Sequence, residues 1–397
     1  MSRSIDKETF IHDHQAMTLP AGIEIALIAA AVFYCTVVLA LAFGMGRLGF
    51  PAQVRRPFVS VIVAARNEER TIEDLIRHLL AQDYPTYEVI IINDRSTDRT
   101  GQIISGYQAL DPRIRKLDVL TASTSMPAKK HALSKGIASS AGEILCFTDA
   151  DCAPPPQWIS SLVSAFDQDV GLAAGYSPYV SDEQSPPPSL FQRILHSFIR
   201  YEEFKGATWS AGSIALKRAW LCTGRSLAYR RIVFDEVGGF EEIKHSVSGD
   251  DDLFLQLVQR TTRWQIRYVA APESFVPTLP PRNFREFIGQ RTRHFSAGKY
   301  FPPGMKAFFL GFHSSNLVLV VSCIEGIISG RPWHALLPFG AKCVVDIVVF
   351  IRAARVFRHT EFAATFLGHE LLYVLYNTFV GPLGFVGRFR WKQEATI

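Results

Sequence analysis

The sequence predicts an α/β protein, a mainly parallel mixed sheet with helices on both faces, joined to transmembrane α-helices. Three observations predict it. From residue 57, short β-branched apolar runs alternate with helical patterns. Residues 21–43 form an apolar run whose one charge is Glu24. Finally, the apolar run Glu143–Thr148 leads straight into Asp149-Ala150-Asp151. Two carboxylates one residue apart at the C-terminal end of a buried strand lie where open α/β sheets bind ligands.

Taken in order, residues 1–20 read as an N-terminal tail. Ala21–Phe43 is long enough to cross a bilayer, which takes about 20 residues. It is too long for a signal-peptide core of roughly 7–15 residues, and no small-residue cleavage site follows. A retained transmembrane helix is expected. Phe58–Ala65 is the first strand, and a polar helix starts near Asn67. Tyr87–Ile92 is the second strand, and Asp98–Ala109 a helix capped by Ser96 or Thr97. Ile114–Leu120, the helix Ala128–Ser140 and the strand Glu143–Thr148 complete the regular part. Most of these strands are short and apolar, as strands of a buried parallel sheet are.

Beyond Asp151 the pattern loosens. Gln157–Phe166 reads as a helix, Val170–Tyr176 as a strand and Asp182–Ser189 as a Ser/Pro-rich loop. Leu190–Phe204 is amphipathic. Such a helix either covers the sheet or lies on a bilayer surface. The soluble domain is expected over 57–300. A membrane region is expected over 307–387, in three apolar segments: Ala307–Ser329, His334–Ile351 and Ala363–Gly387. The second holds Lys342 and Asp346, four apart and able to neutralise each other. The third holds His369 and Glu370 and is broken by Gly381-Pro382. Charges inside a span should face protein or water.

The net charge of +5 in 397 residues is no nucleic-acid signature, and no such partner is expected. Basic residues gather instead at span ends: Arg47, Arg55 and Arg56, then Arg352, Arg355 and Arg358. The positive-inside rule places both groups, and with them the 57–300 domain, in the cytoplasm of a multi-pass cell-membrane protein. Four full spans would put the basic tail 388–397 outside, against that rule. Either the last segment is re-entrant, turning at Gly381-Pro382, or the tail breaks the rule. The six cysteines show no CxxC spacing and no disulfide framework.

The chemistry gathers at one sheet edge. Asp149 and Asp151 are hard oxygen ligands that suit Mg2+ or Mn2+ carrying a diphosphate. Standing alone, such a pair is also an ordinary turn with two solvated aspartates. Asp94 ends the second strand and Ala64-Ala65-Arg66-Asn67-Glu68 ends the first, so both face the same crevice. Small alanines let backbone approach a planar base, and Asp94 can accept an N–H or a ribose hydroxyl.

Taken together, these pieces resemble a family 2 glycosyltransferase of the membrane-attached kind, with a GT-A fold. The matching stretches are VSVIVAARNEE at 59–69, VIIINDRSTDRT at 89–100, AKKHALSKG at 128–136 and TDADC at 148–152. GRSLAYRR at 224–231 with FDEVGGF at 234–240, GDDDLFLQL at 249–257 and QRTRH at 290–294 follow. The order is the family's, over roughly 57–296.

The resemblance implies a nucleotide-diphospho-sugar donor, a UDP- or GDP-sugar. Asp94 would contact the base, Ala65 and Glu68 the nucleoside, and Lys130 the nucleotide or its phosphates. Asp149 and Asp151 would hold the metal and diphosphate. In Asp250-Asp251-Asp252, the spacing of Leu253, Leu255 and Leu257 makes Asp250 the base that deprotonates the acceptor. A second register gives that role to Asp251. Three adjacent carboxylates repel, so at least one pKa should rise. Gln290, Arg293 and His294 resemble a QxxRW motif that closes over diphosphate and acceptor, with His294 where the family has Trp. The layout is similar to that of ceramide glucosyltransferase-like enzymes. It implies an inverting transfer of one sugar to a lipid at a membrane. A polysaccharide synthase is the enzymatic alternative, and a catalytically silent membrane scaffold the alternative of another class.

Overall fold

The computed structural model describes residues 21–49, 56–180, 189–330 and 332–386. The two expected tails, Arg55 and residues 182–188 of the Ser/Pro-rich loop lie outside the described residues. The strands are β1 (Val59–Ala65), β2 (Tyr87–Asp94), β3 (Ile114–Val119), β4 (Ile144–Phe147), β5 (Val170–Ala174), β6 (Leu227–Arg230) and β7 (Gln265–Tyr268). The helices of the first half are α1 (Ala21–Met45), α2 (Ile72–Leu80), α3 (Thr100–Leu110), α4 (Ala128–Ser139), α5 (Trp158–Val163) and α6 (Leu190–Ala215). Those of the second half are α7 (Arg231–Glu236), α8 (Asp252–Thr261), α9 (Phe284–Phe295), α10 (Pro303–Ile328), α11 (Pro332–Phe357), α12 (Phe366–Phe379) and α13 (Leu383–Val386).

The seven strands form one mixed sheet in the order β3-β2-β1-β4-β6-β5-β7. β3, β2, β1 and β4 are mutually parallel, and β7 is parallel to β5. β6 runs antiparallel to β4 and β5. The period of two along β1 serves both faces. Val59, Val61 and Val63 join Leu75, Leu79 and Ile104 in one core. Ile62 turns to α4, where Gly136 allows a close approach. A Cβ there would lie 2.6 Å from Ile92 Cδ1 and 2.9 Å from Ile62 Cγ2.

Two helices start later than the sequence suggests. Asn67 has φ +54°, outside the helical region, and side chains of the loop after β2 and the start of α3 hold the backbone there. The N–H groups of Asn67, Glu68 and Glu69 donate to Ser96 Oγ (3.1 Å), Thr100 Oγ1 (2.8 Å) and Asp98 Oδ2 (3.0 Å). The first helix therefore begins at Ile72 rather than near Asn67. Asp98, not Ser96 or Thr97, accepts from the Thr100 amide at 3.0 Å.

The chain divides into two compact units. One is Phe43–Pro302 with Ala353–Ile397, and the other is Met1–Ala42 with Pro303–Arg352. In the first unit, α6 opens with a capping box between Ser189 and Gln192. It buries Leu195, Phe198 and Ile199 against Phe287 of α9 and Tyr373 and Tyr376 of α12, while Leu190, Phe191 and Ile194 stay exposed.

The block expected at 307–387 is therefore not continuous. Its last part belongs with the sheet. α12 has 14 residues, about 21 Å of helix, short of the roughly 30 Å of a hydrocarbon core. The helix stops before Gly381-Pro382. Its His369 and Glu370 face protein. Glu370 accepts from Lys205 Nζ at 2.7 Å and from the Tyr201 hydroxyl. His369 Nε2 meets Ser197 Oγ at 3.1 Å.

In the second unit, Gly22–Met45 and Pro303–Ile328 are long and apolar enough to cross a membrane, by length and composition. α11 carries Pro338 inside it. Lys342 Nζ pairs with Asp346 Oδ2 at 2.5 Å, and Tyr34 OH of α1 donates to Asp346 Oδ1 at 2.8 Å.

Candidate active site

The C-terminal ends of the parallel strands, together with helix α4 and the N-terminus of α8, make one pocket. Ala64, Thr148 and Asp149 come from strand ends, Lys129 from α4, and Gly224 and Asp250 from loops. The Lys129 ammonium stands 2.9 Å from Asp149 Oδ1 and 3.0 Å from Asp250 Oδ2. Burial alone would favour neutral lysine, but Asp149, Asp250 and Asp251 reverse that and hold it firmly charged.

The three consecutive aspartates have three different settings. Gly249 ahead of them has φ +84°, the left-handed region that favours glycine, and a Cβ there would lie 2.6 Å from Leu253 Cγ. Asp250 lines the pocket. Asp251 caps α8, its Oδ1 accepting from the Asp252 amide at 2.7 Å and its Oδ2 from the Gly224 amide at 2.9 Å. Asp252 accepts from the Cys222 amide at 2.7 Å. Burial pushes the Asp250 carboxyl up, but Lys129 and Lys130 more than offset this and hold it below the ordinary aspartate value. Burial and neighbouring carboxylates raise Asp251, and raise Asp252 well above the usual range. The expected rise thus falls on Asp251 and Asp252 and not on the carboxylate in the pocket.

Lys130 is fully buried and donates to the carbonyls of Ser246 (2.5 Å) and Ser248 (2.7 Å). Burial lowers its pKa to about 8. The lysine beside the carboxylates is its neighbour Lys129, which the sequence reading missed. Both lysines sit one turn before the apolar stripe Ala132, Leu133, Gly136 and Ile137, so periodicity does not separate them.

At the other end of the crevice, Asp94 is buried beneath two arginines. Arg95 Nε and Nη2 donate to its two oxygens at 2.8 and 3.0 Å, and Arg66 Nη1 stands 3.9 Å from Oδ2. Ala65 is fully buried at the end of β1. The Glu68 carboxylate accepts from the Thr71 hydroxyl at 3.0 Å, a bond at the start of α2. Asp151 is exposed, and its carbonyl accepts from Thr278 Oγ1 at 3.1 Å, which pins the loop after β4.

Residues 60–237 match the family description "Glycosyl transferase family 2". This stretch holds Asp94, Lys129, Asp149 and Asp151. It is a family 2 glycosyltransferase domain. "Probable glycosyltransferase YdaM" of Bacillus subtilis (strain 168) is 26% identical over 254 residues, 62% of this chain and 56% of that protein. "Beta-monoglucosyldiacylglycerol synthase" of Nostoc sp. is 29% identical over 229 residues, 56% of this chain and 46% of that protein. The chain spans about half the length of the curated relatives it matches. Among solved structures, the mannosyltransferase PcManGT of Pyrobaculum calidifontis, in complex with GDP-Man and Mn2+, aligns with a TM-score of 0.56 at 19% identity. The alignment covers 92% of this chain and 97% of that one. At that identity the likeness speaks for the fold, which is GT-A as expected.

Helix α9, beyond the matched stretch, carries the QxxR-like motif. Gln290 Oε1 accepts a long bond, 3.4 Å, from Tyr179 OH. The buried arginine of the motif is Arg291. It pairs with Glu202, and with Glu203 at 3.2 Å. Glu203 also binds Arg225 at 2.6 Å, and Arg225 Nη1 donates to Tyr179 OH at 3.1 Å. Arg293 is half-buried and on a different face from Arg291. His294 Nδ1 lies 3.5 Å from Arg291 Nη1. Burial, then Arg293, Arg291, Arg225 and Lys129, hold His294 well below the ordinary histidine value, so its ring is neutral. Arg225, Glu203 and Arg291 were not legible as a set because they come from three distant parts of the chain.

Proposed function

We propose that this transferase moves one sugar from a nucleoside-diphosphate sugar to the hydroxyl of a membrane lipid, with inversion and with Asp250 as general base. The observation that carries the reading is the single pocket in which Lys129 pairs with both Asp149 and Asp250. Asp149 marks the diphosphate end, and Asp250 the side from which an acceptor must attack.

Asp250 is kept ionised by Lys129, as a base must be before it takes a proton. It removes the acceptor proton as the new C–O bond forms and the bond to the diphosphate breaks. Asp251, engaged by two backbone amides, has less freedom to do this. Lys129 faces the leaving diphosphate with positive charge.

The donor set fits Mg2+ or Mn2+. Asp149 and Asp151 are hard oxygen ligands, and the Lys129 ammonium already marks a cation position beside Asp149. Among the described residues no group of three His, Cys, Asp or Glu side chains could hold a metal without help from a ligand. A divalent ion on Asp149 and Asp151 would neutralise the charge that builds on the leaving diphosphate.

The lipid acceptor and the membrane setting draw support from two helices long enough to span and from the lipid-glycosylating name of one relative. A multi-pass topology with the catalytic unit in the cytoplasm follows from the basic residues at span ends. The test is incubation of membranes holding the protein with a panel of labelled nucleotide sugars, followed by lipid extraction and mass spectrometry. A lipid gaining one sugar mass, absent with Asp250→Asn, supports the reading. Label appearing only in water-soluble products overturns the lipid acceptor.

A further inference from the structure

Residues 244–251 bring Asp250 to the pocket, yet they are neither helix nor strand. Backbone carbonyls in such a segment need partners from elsewhere. Here side chains supply them. The Tyr300 hydroxyl donates to the His245 carbonyl at 2.9 Å. Lys130 Nζ, from α4, donates to the carbonyls of Ser246 and Ser248 at 2.5 and 2.7 Å. Three of the four carbonyls from His245 to Ser248 are thus held by side chains 55, 116 and 118 residues away. Gly249 then turns the chain at φ +84°, and Asp250 follows.

The two clamps differ in kind. Lys130 is fully buried and belongs to the fold as much as to the site. Tyr300 closes the short 3-10 turn Ser296–Tyr300, which follows α9 and packs against α8. Ser296, Ala297 and Gly298 are buried and anchor that turn, whereas Tyr300 is 49% exposed. Its hydroxyl bond, rather than burial, ties it to the loop. We propose that Tyr300 is a positioning residue for Asp250, acting through the His245 carbonyl, an inference that rests on the general-base reading above. The loop that carries the base is fixed at once to the helix of Lys129 and to the segment after the QxxR-like motif. A base must lie within hydrogen-bond reach of the proton it takes, and a displacement of about 1 Å can cost about 10²-fold in rate. A loop without a backbone ladder of its own holds that tolerance only through such side-chain bonds.

The experiment uses the full chain in detergent with membrane lipid extract as acceptor and labelled UDP-glucose, UDP-GlcNAc and GDP-Man as donors. Rates are compared for whichever donor the wild type transfers. Tyr300→Phe keeps the ring and removes only the hydroxyl. Its kcat should fall about three- to tenfold, the fold-change of one neutral hydrogen bond. The KM for the donor should stay within about twofold, and the melting temperature within about 3 °C. Hydrogen exchange without substrate should quicken at the amides of residues 246–251 and nowhere else. A merely structural role would instead lower the melting temperature or spread the faster exchange through the whole unit, and either result overturns the proposal. An unchanged kcat overturns it too, and if Asp250→Asn is still inactive the base reading stands alone. No transfer from any donor by the wild type removes the base reading and this inference with it.

Discussion

Asp250 and Asp251 are neighbours in sequence and differ in setting: one lines the pocket and the other caps α8. Asp250→Asn should lower turnover by about 10² or more, the scale of lost general-base catalysis, with donor affinity little changed. Asp251→Asn should stay within about fivefold of wild type, because asparagine caps a helix as well as aspartate does. Initial rates with saturating donor check both, and the reverse order would move the base to Asp251. The two lysines offer a second contrast. Lys129→Met should abolish transfer and leave the melting temperature near wild type. Lys130→Met should instead cost about 1–3 kcal/mol of stability, since two carbonyls lose their donor. Unfolding curves and rates on the same preparations separate the two effects. At this scale the sequence placed Asp94, Asp149 and Asp151 at one sheet edge, where the ends of β2 and β4 lie, because strand ends are legible from apolar runs. It named Lys130, whereas Lys129 is the lysine that pairs with Asp149 and Asp250; a helix rotates by about 100° per residue and the stripe below admits either.

Helix α9 shows what an element adds to its residues. Its motif drew attention to Gln290 and Arg293, yet Arg291 holds the helix in place through Glu202 and Glu203. Arg291→Ala should destabilise the fold by about 3–5 kcal/mol, the cost of stranding a buried partner charge. Thermal unfolding would show it, and a change under about 1 kcal/mol would mean the pair is solvated and unimportant. The amphipathic face of α6 was legible, but not its destination. Its apolar side meets α9 and α12, helices that lie far away in the chain. Element boundaries failed at Asn67, whose φ of +54° lies outside helical backbone, and at Asp98, whose side chain accepts from the Thr100 amide.

Over the whole molecule, the strand and helix alternation before Asp151 gave the parallel half of the sheet directly. The antiparallel β6 has no such signature, because its four residues carry too little pattern. Hydropathy marks 363–387 as a third apolar segment, and the structure groups α12 with the unit that holds the sheet. The product should be a lipid with one added sugar. His294 stands between arginines where a wide stacking surface would serve a growing chain. Product size after long incubation with excess donor decides this, and a high-mass soluble glycan would favour a polymer synthase. EDTA should stop transfer, and Mg2+ or Mn2+ should restore it.

The position of Lys129 also sets an order of events. A tethered cation already satisfies Asp149 and Asp250, so a bare divalent ion must compete with it. Metal should therefore enter as a companion of the nucleotide, whose own negative charge gives both cations a place. Titration of Mn2+ into the protein alone should show little heat, and the same titration with a nucleoside diphosphate present should saturate. Lys129→Met should remove the difference, turning an ordered arrival into a random one.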